Sequence, residues 1–276
     1  MRALVTLCPA ESKLLIARAV ARLPQVRAAL KHGVLVIGTG TTNAQVAEAC
    51  TGIPVDGSRF VAGMITRGLT CVTPRDERKP NLVLVRGEAQ EITPLESLEL
   101  EASPKVLVKG ANAVDPSGVA GVLMASADGG TVGRLLGHFQ AGGWPIIIPV
   151  GLEKLIPSVV LASQLLGHDA LDRSLGVRVG LMPLSSTHLI TEVAALRTLG
   201  PLTVTQVAAG GVAGSEGSVT LVIDGDAADV EAALAEIEGV KGVQTPPPVL
   251  STCAECGLRC DYSGRSRDQL PRYLAG

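Results

Sequence analysis

The sequence is poor in aromatic residues, has no excess of positive charge and contains no long apolar run. Its 276 residues include one Trp, two Tyr and two Phe, and the formal net charge is −2. Binding of single-stranded nucleic acid relies on aromatic stacking platforms and a basic groove, so no nucleic-acid partner is expected. No apolar run approaches the roughly 20 residues that span a bilayer, so no membrane partner is expected either.

The cysteines do not have the spacing of a disulfide framework. Three are scattered and three lie close together, in the order Cys8, Cys50, Cys71, Cys253, Cys256 and Cys260. This usage favours a reducing compartment, and we expect a cytoplasmic protein. Charged residues interrupt the apolar pattern after Pro9, so the N-terminal segment predicts an amphipathic helix and not a signal peptide.

Residues 1–175 show strands that alternate with helices. Apolar runs predict strands at Val34–Ile37, Leu82–Arg86, Lys105–Lys109, Val119–Ala125 and Trp144–Val150. Helical patterns cover Ala10–Leu30, with a break at Pro24, then Asn43–Cys50 and Ser158–Leu166. This order predicts an α/β domain with a Rossmann-like, mostly parallel sheet flanked by helices.

Residues 176–245 show a different order of elements. We predict a strand in "VRVGLMP", a helix over Ser185–Leu199, two strands in "PLTVTQVAA" and "GSVTLVID", a helix after Asp226 and a short strand at Gly242–Thr245. The order βαββαβ predicts a ferredoxin-like unit. Residues 246–276 begin with three prolines and form a Pro- and Cys-rich tail.

The first candidate site is the turn between the strand Val34–Ile37 and the following helix. It carries six residues suited to an anion: Gly38, Thr39, Gly40, Thr41, Thr42 and Asn43. At a helix N-terminus the first backbone N–H groups lack partners and the helix dipole is positive, so phosphate or carboxylate binds there. The P-loop and dinucleotide patterns are not met, and a tight turn without ligand is the alternative.

A second turn of the same kind lies in "SADGGTVGRLLGHF", where Gly129, Gly130 and Thr131 precede a helix. In a parallel sheet the helix N-termini and strand carboxyl ends gather at one edge, where ligands bind. Two donor-rich turns at that edge predict a bipolar ligand.

Two motifs resemble the superfamily that joins ribose-5-phosphate isomerase, glucosamine-6-phosphate deaminase and CoA transferases. The Gly-Thr-Gly-Thr-Thr turn within residues 34–50 resembles its phosphate turn, and "VKGANAVDP", Val108–Pro116, is similar to the isomerase segment Asp-Gly-Ala-Asp-Glu-Val-Asp-Pro. The isomerases also carry a ferredoxin-like unit. The resemblance implies a small phosphorylated or CoA-type ligand.

The sequence departs from the isomerase pattern at the residues that perform its chemistry. Lys109 and Asn112 stand at the two aspartate positions, whereas Asp115 is kept. The next glycine-rich segment offers Asp128 but not the glutamate base. Because aldose–ketose isomerisation needs a carboxylate base at the carbon acid, the resemblance does not carry that activity over.

Three residues are candidates for catalysis, namely Lys109, Asp115 and Asp128. A desolvated Lys109 could act as a base or Schiff-base nucleophile, but neutralisation of a bound phosphate is the simpler role. The two aspartates are the available carboxylates, and turn capping is the alternative for each.

Cys253, Cys256 and Cys260 form a C-x2-C-x3-C motif, which offers three soft ligands within eight residues. A zinc site would need a fourth ligand, another cysteine or a histidine, whereas an iron–sulfur cluster with an open iron would need only these three. A tail with reduced thiols and no metal is the alternative.

The combined prediction is a homo-oligomeric protein that binds a small phosphorylated metabolite or CoA-like anion at glycine- and threonine-rich turns. The first hypothesis is a metabolic enzyme related to sugar-phosphate isomerases, with isomerase- or transferase-like chemistry altered at Lys109 and Asn112. The alternatives are a non-catalytic ligand sensor and a zinc or iron–sulfur protein.

Overall fold

The computed structural model describes residues 1–275 and shows a mixed α/β fold. The strands are β1 Arg2–Leu7, β2 Val34–Ile37, β3 Gly63–Thr66, β4 Leu69–Val72, β5 Leu82–Val85, β6 Glu88–Gln90, β7 Lys105–Val108, β8 Ala113–Val114, β9 Ala120–Met124, β10 Ile146–Pro149, β11 Gly180–Leu184, β12 His188–Ile190, β13 Thr203–Gly210 and β14 Ser218–Asp224. The helices are α1 Pro9–Arg22, α2 Pro24–His32, α3 Thr41–Thr51, α4 Pro94–Leu98, α5 Gly130–Ala141, α6 Val159–Gln164, α7 Glu192–Arg197, α8 Ala227–Glu238 and α9 Arg272–Ala275. Single 3-10 turns lie at Leu152–Lys154 and Arg267–Gln269.

The central sheet has six strands in the order β12-β10-β7-β2-β5-β6. The first four are parallel to one another, and β5 and β6 continue the sheet in antiparallel pairing. The predicted α/β class is therefore confirmed, and the sheet is mixed.

The apolar runs form strands that are covered on both faces. Every residue of β2, β7 and β10 is buried, as expected for the inner strands of a sheet with layers on each side. Alternate residues point to opposite faces: Leu35 and Ile37 pack with α1, α2 and α3, whereas Val34 and Val36 pack with α5. The predicted break at Pro24 is confirmed, since α1 ends at Arg22 and α2 begins with that proline.

The ferredoxin-like unit predicted over residues 176–245 is not confirmed. Its first strand, β11, pairs antiparallel with β9, and β12 joins the central sheet beside β10, so two elements of the unit lie in sheets formed by earlier residues. The helix predicted over Ser185–Leu199 is replaced by β12 and the shorter α7, which begins after the Thr191 cap.

The N-terminal strand β1 occupies the place beside β14, in a sheet of order β1-β14-β13. Its pairing with a strand more than two hundred residues later is a tertiary contact that local pattern does not reveal. In the described chain no strand forms after Asp224, so the one predicted at Gly242–Thr245 is absent. Instead, the Gly242 N–H donates to Glu11 Oε1 at 3.1 Å, and the prolines follow. Among residues 1–275, no helix is both long and apolar enough to cross a membrane.

Candidate functional site

The four parallel strands deliver four polar segments to one edge of the central sheet. Residues 38–42 follow β2, residues 109–112 follow β7, residues 150–154 follow β10 and residues 191–192 follow β12. The carboxyl ends of parallel strands are where ligands of open α/β sheets bind. We refer to these four segments as the carboxyl-edge site.

The turn after β2 uses some of its N–H groups for its own fold and leaves others without an acceptor. The N–H groups of Gly38 and Gly40 donate to the carbonyl oxygens of Val108 and Phe60, at 2.9 and 2.8 Å. The next three N–H groups, of Thr41, Thr42 and Asn43, open α3 and have no acceptor in the described part of the chain. No side chain caps α3, so these dipoles remain available.

No protein-family model, curated protein or solved structure matches this chain. Interpretation of the carboxyl-edge site therefore depends on its own geometry and charge.

Asn43 is fully buried behind the turn. Its Nδ2 donates to the Gly38 carbonyl at 2.6 Å and more weakly to that of Val108 at 3.4 Å, which ties β2, α3 and β7 together. Its Oδ1 is buried and has no hydrogen-bond partner. A buried oxygen without a hydrogen-bond donor destabilises the folded state.

Asn81 joins the two glycine-rich turns. Because Ile37 pairs with Leu82, Asn81 lies level with the end of β2. Its Oδ1 accepts from the Thr39 N–H at 3.1 Å and from Thr131 Oγ1 at 3.2 Å. The structure thus brings together the two turns that the sequence singled out, through a residue that the sequence did not reveal.

At the second turn the chain already supplies a negative charge. Asp128 Oδ1 accepts from the Gly130 N–H at 2.9 Å and from Ser126 Oγ at 2.6 Å, while Arg134 Nε donates to Oδ2 at 2.6 Å. These contacts, led by the Ser126 hydroxyl and the Gly130 amide, lower the pKa of the Asp128 carboxyl. A carboxylate held in this way caps α5, so Gly129, Gly130 and Thr131 contribute shape more than an open anion site.

Asp115 and Asn112 also serve the local fold. The Asp115 carboxylate accepts from Ser117 and from the N–H groups of Val119 and Val159, and the Ser117 hydroxyl is the largest cause of its lowered pKa. Asn112 Oδ1 accepts from the Leu123 N–H at 3.0 Å, within the β8–β9 region. These contacts give both side chains a part in the local fold.

Lys109 lies over the first turn. Its Nζ makes long contacts of 3.4 Å to the carbonyl oxygens of Thr39 and Gly110. A Cβ at Gly38 would lie 2.7 Å from Lys109 Cδ, so the glycine makes room for the lysine stem. Burial, and then the charge of Lys154, lower the pKa of Lys109 to about 8.

Further charged groups extend the site along the sheet edge. Lys154 Nζ donates to the Ala111 carbonyl at 3.0 Å and lies 3.9 Å from Glu153 Oε1. Burial and Lys154 also lower the pKa of Lys13, which comes from α1. Three ammonium groups thus share one region in which two of them are held below their ordinary pKa.

Glu192 is the buried acid of this region. Its side chain is fully buried, and its two carboxyl oxygens accept from the Leu152 N–H at 3.2 and 2.9 Å. Burial, followed by the charge of Glu153, raises its pKa to about 7. Glu192 and Lys13 have no local sequence signal, because each lies in a helical segment whose burial depends on how the sheets assemble.

The site is narrow in the conformation described. Thr39, Thr42 and Asn43 are buried, and Lys109 covers the glycine before them. Two wider cavities, of about 560 and 640 Å³, lie elsewhere: one between Arg178, Asp172 and Asp261, the other along α1 and α3.

The cysteine motif lies away from the carboxyl-edge site. Cys253 and Cys260 pack against the same small apolar cluster as Cys71 of β4, and all six cysteines are free thiols. As the side chains stand, no group of three or more His, Cys, Asp or Glu residues in the described chain is arranged to hold a metal ion.

Proposed function

We propose that the carboxyl-edge site binds a small phosphorylated metabolite or a CoA-like anion. Its phosphate would accept from the N–H groups of Thr41, Thr42 and Asn43, with the Lys109 ammonium as counter-charge. The observation that carries this proposal is that three adjacent N–H groups without acceptors follow β2 and that the desolvated Lys109, which follows β7, contacts the same turn through the Thr39 carbonyl. Helix N-termini with a nearby lysine are well suited to phosphate.

Entry of the anion requires Lys109 to move. Its ammonium makes only two long carbonyl contacts of 3.4 Å, which cost little to exchange for a charged partner. A phosphate placed there would replace the unfavourable environment of a buried ammonium by an ion pair, and the pKa of Lys109 would rise on binding. Ligand binding is therefore expected to be coupled to proton uptake above about pH 8.

We propose a relationship of this fold to the superfamily that the two motifs resemble. We assign the Rossmann-like part to the four parallel strands β12, β10, β7 and β2. We assign the ferredoxin-like part to β1, β13 and β14 with α1 and α8, because the order β1-β14-β13 reproduces three strands of a split βαβ unit. The first strand of this unit would then come from the N-terminus and the main sheet would be inserted after α1.

An enzyme is favoured over a non-catalytic sensor by Glu192. Proton transfer at neutral pH is most efficient with a group whose pKa lies near the working pH, and Glu192 has a pKa of about 7. Lys109, Lys154, Glu153 and Glu192 form a chain in which each influences the next electrostatically. Glu192 thereby replaces Asp115 and Asp128 as the proposed acid–base residue, in a sugar-phosphate isomerase- or transferase-like reaction.

The proposal is tested by thermal unfolding of the purified protein with ribose-5-phosphate, glucosamine-6-phosphate and CoA. A ligand at one hundred times its Kd stabilises the folded state by about 2.7 kcal/mol, so at least one of these compounds should raise Tm by several degrees. Unphosphorylated ribose serves as the matched control and should leave Tm unchanged. Equal shifts with ribose, or no shift with any of the three, would contradict phosphate recognition.

A compound that raises Tm then separates enzyme from sensor. In D2O, an isomerase-type proton transfer exchanges a carbon-bound hydrogen of the ligand for deuterium, which NMR detects directly. Exchange that Glu192→Gln abolishes, while the Tm shift remains, supports the enzyme. Binding with no exchange and no product supports the sensor.

A further inference from the structure

The tail returns to the β3–β4 hairpin, although it contains little regular structure. The Val249 N–H donates to the Ser58 carbonyl at 3.2 Å, and beyond it the chain packs onto a small core of Leu69, Tyr262 and Leu274. Cys71, Cys253 and Cys260 all contact this core. An apolar core of three residues is small for ordering a segment of about thirty residues, and short segments of this kind usually depend on a disulfide or a metal.

Residues 177 and 178 link the chain before Cys71 to the chain before Cys260. The Val177 N–H donates to the Thr70 carbonyl at 2.8 Å, and the Arg178 N–H donates to the Arg259 carbonyl at 3.0 Å. These two bonds connect β4 to the tail, and Cys71 and Cys260 both pack on the shared core.

One sulfur atom of the motif accepts a backbone hydrogen bond. The Tyr262 N–H donates to Cys260 Sγ at 3.4 Å, and backbone N–H groups that point at cysteine sulfur are a common second shell of thiolate–metal sites. The Gly264 N–H donates to the Cys253 carbonyl at 2.8 Å, which closes the tail around the motif. All of these cysteines are free thiols of intermediate exposure.

The backbone between the first two cysteines of the motif is folded into a turn. The Cys256 N–H donates to the Cys253 carbonyl at 3.4 Å, which keeps Cys256 close to Cys253.

We propose that Cys71, Cys253, Cys256 and Cys260 bind one zinc ion, with Cys71 of β4 as the fourth ligand that the tail motif lacks. Each cysteine loses its proton on coordination, and four thiolates complete a tetrahedral structural site. The side chains of the described residues are not arranged around a metal ion, so coordination would require the cysteines to change conformation. The ion would fasten the tail to the hairpin.

Metal analysis of the full-length protein, purified without chelator, tests the proposal. We expect about one zinc per chain and no visible absorbance. After treatment with a strong chelator, the wild-type protein should have four more reactive thiols than the untreated protein. This assay needs no variant. Protein without zinc even after incubation with Zn²⁺, iron with visible absorbance, or unchanged thiol reactivity would each overturn the zinc assignment.

The ligand set is tested by Cys71→Ser with Cys50→Ser as the matched control. Loss of a direct ligand should weaken zinc retention against a competing chelator by more than about a hundredfold, beyond the range seen for second-shell changes. Cys50 lies in α3 and packs against the main core, apart from the small core that Cys71 contacts, so its replacement should leave zinc retention unchanged. Cys71→Ser protein that keeps one zinc with wild-type retention would remove Cys71 from the site.

Discussion

Lys109→Met is expected to abolish binding of the phosphorylated ligand and, at the same time, to make the unliganded protein more stable at pH 7. Methionine keeps the unbranched stem over Gly38 but removes the ammonium. In the wild-type protein burial lowers the pKa of Lys109 from 10.5 to about 8, so the folded state holds a protonated lysine at a cost on the order of 3 kcal/mol as an upper bound. A residue retained at such a cost is typical of a functional site.

The pH dependence gives this prediction a definite sign. Between pH 8 and 10.5 the unfolded chain keeps the lysine proton whereas the folded chain has lost it, so wild-type stability rises with pH in that window. Lys109→Met lacks this rise, and the stability difference between the two proteins should vanish by about pH 10.5. Urea unfolding of both proteins at pH 7, 8, 9 and 10 measures this difference in the free energy of unfolding.

Lys31→Met is the matched control. Lys31 lies in the last turn of α2, before the amino end of β2, and is exposed at the opposite edge of the sheet. Its replacement should change neither the ligand-induced Tm shift nor the pH profile. A Lys109→Met protein that is destabilised at pH 7, or that binds ligand as tightly as wild type, would contradict the role given to Lys109.

Glu192→Gln is expected to stabilise the protein at pH 8 by up to about 3 kcal/mol more than at pH 4.5. The pKa of Glu192 is raised from 4.5 to about 7 in the folded state by burial and by Glu153. In that window the folded state binds more protons than the unfolded state, so wild-type stability falls as pH rises from 4.5 to 7. Glutamine is neutral at both pH 4.5 and pH 8, and its side-chain oxygen can still accept from the Leu152 N–H.

The difference between wild type and variant isolates Glu192 from the other groups that titrate in this range. Glu231→Gln, on the exposed side of α8, should produce a flat difference and serves as the control. Free energies of unfolding at pH 4.5, 6, 7 and 8 give the comparison. If the Glu192→Gln difference is equally flat, the carboxyl ionises normally and its role in proton transfer has no support.

The helices and strands that could be predicted are those with a local sequence pattern. Fully apolar runs such as Val34–Ile37 predicted buried strands, and the glycines and threonines after them predicted where α3 begins. The pairings of β1 with β14 and of β11 with β9 could not be predicted, because they join residues far apart in the chain. For that reason the ferredoxin-like unit predicted over residues 176–245 is not confirmed, since β11 and β12 pair with strands of earlier residues.

The candidate site divides in the same way. Lys109 and the turn after β2 could be recognised from their position at a strand end. The burial of Glu192 and the bridge formed by Asn81 depend on how neighbouring strands are placed, and neither has a local sequence signal. The acid–base roles of Asp115 and Asp128 stay predictions, and the hydrogen bonds show that each carboxylate also stabilises a turn.

The most direct test of the account is an NMR titration of isotope-labelled protein with the phosphorylated compound that raises Tm most. The account predicts that the backbone amides of Thr41, Thr42 and Asn43 show the largest shifts, in proportion to occupancy, and that Lys109→Met suppresses them. Saturable binding that leaves these three amides unmoved and shifts resonances elsewhere would contradict it.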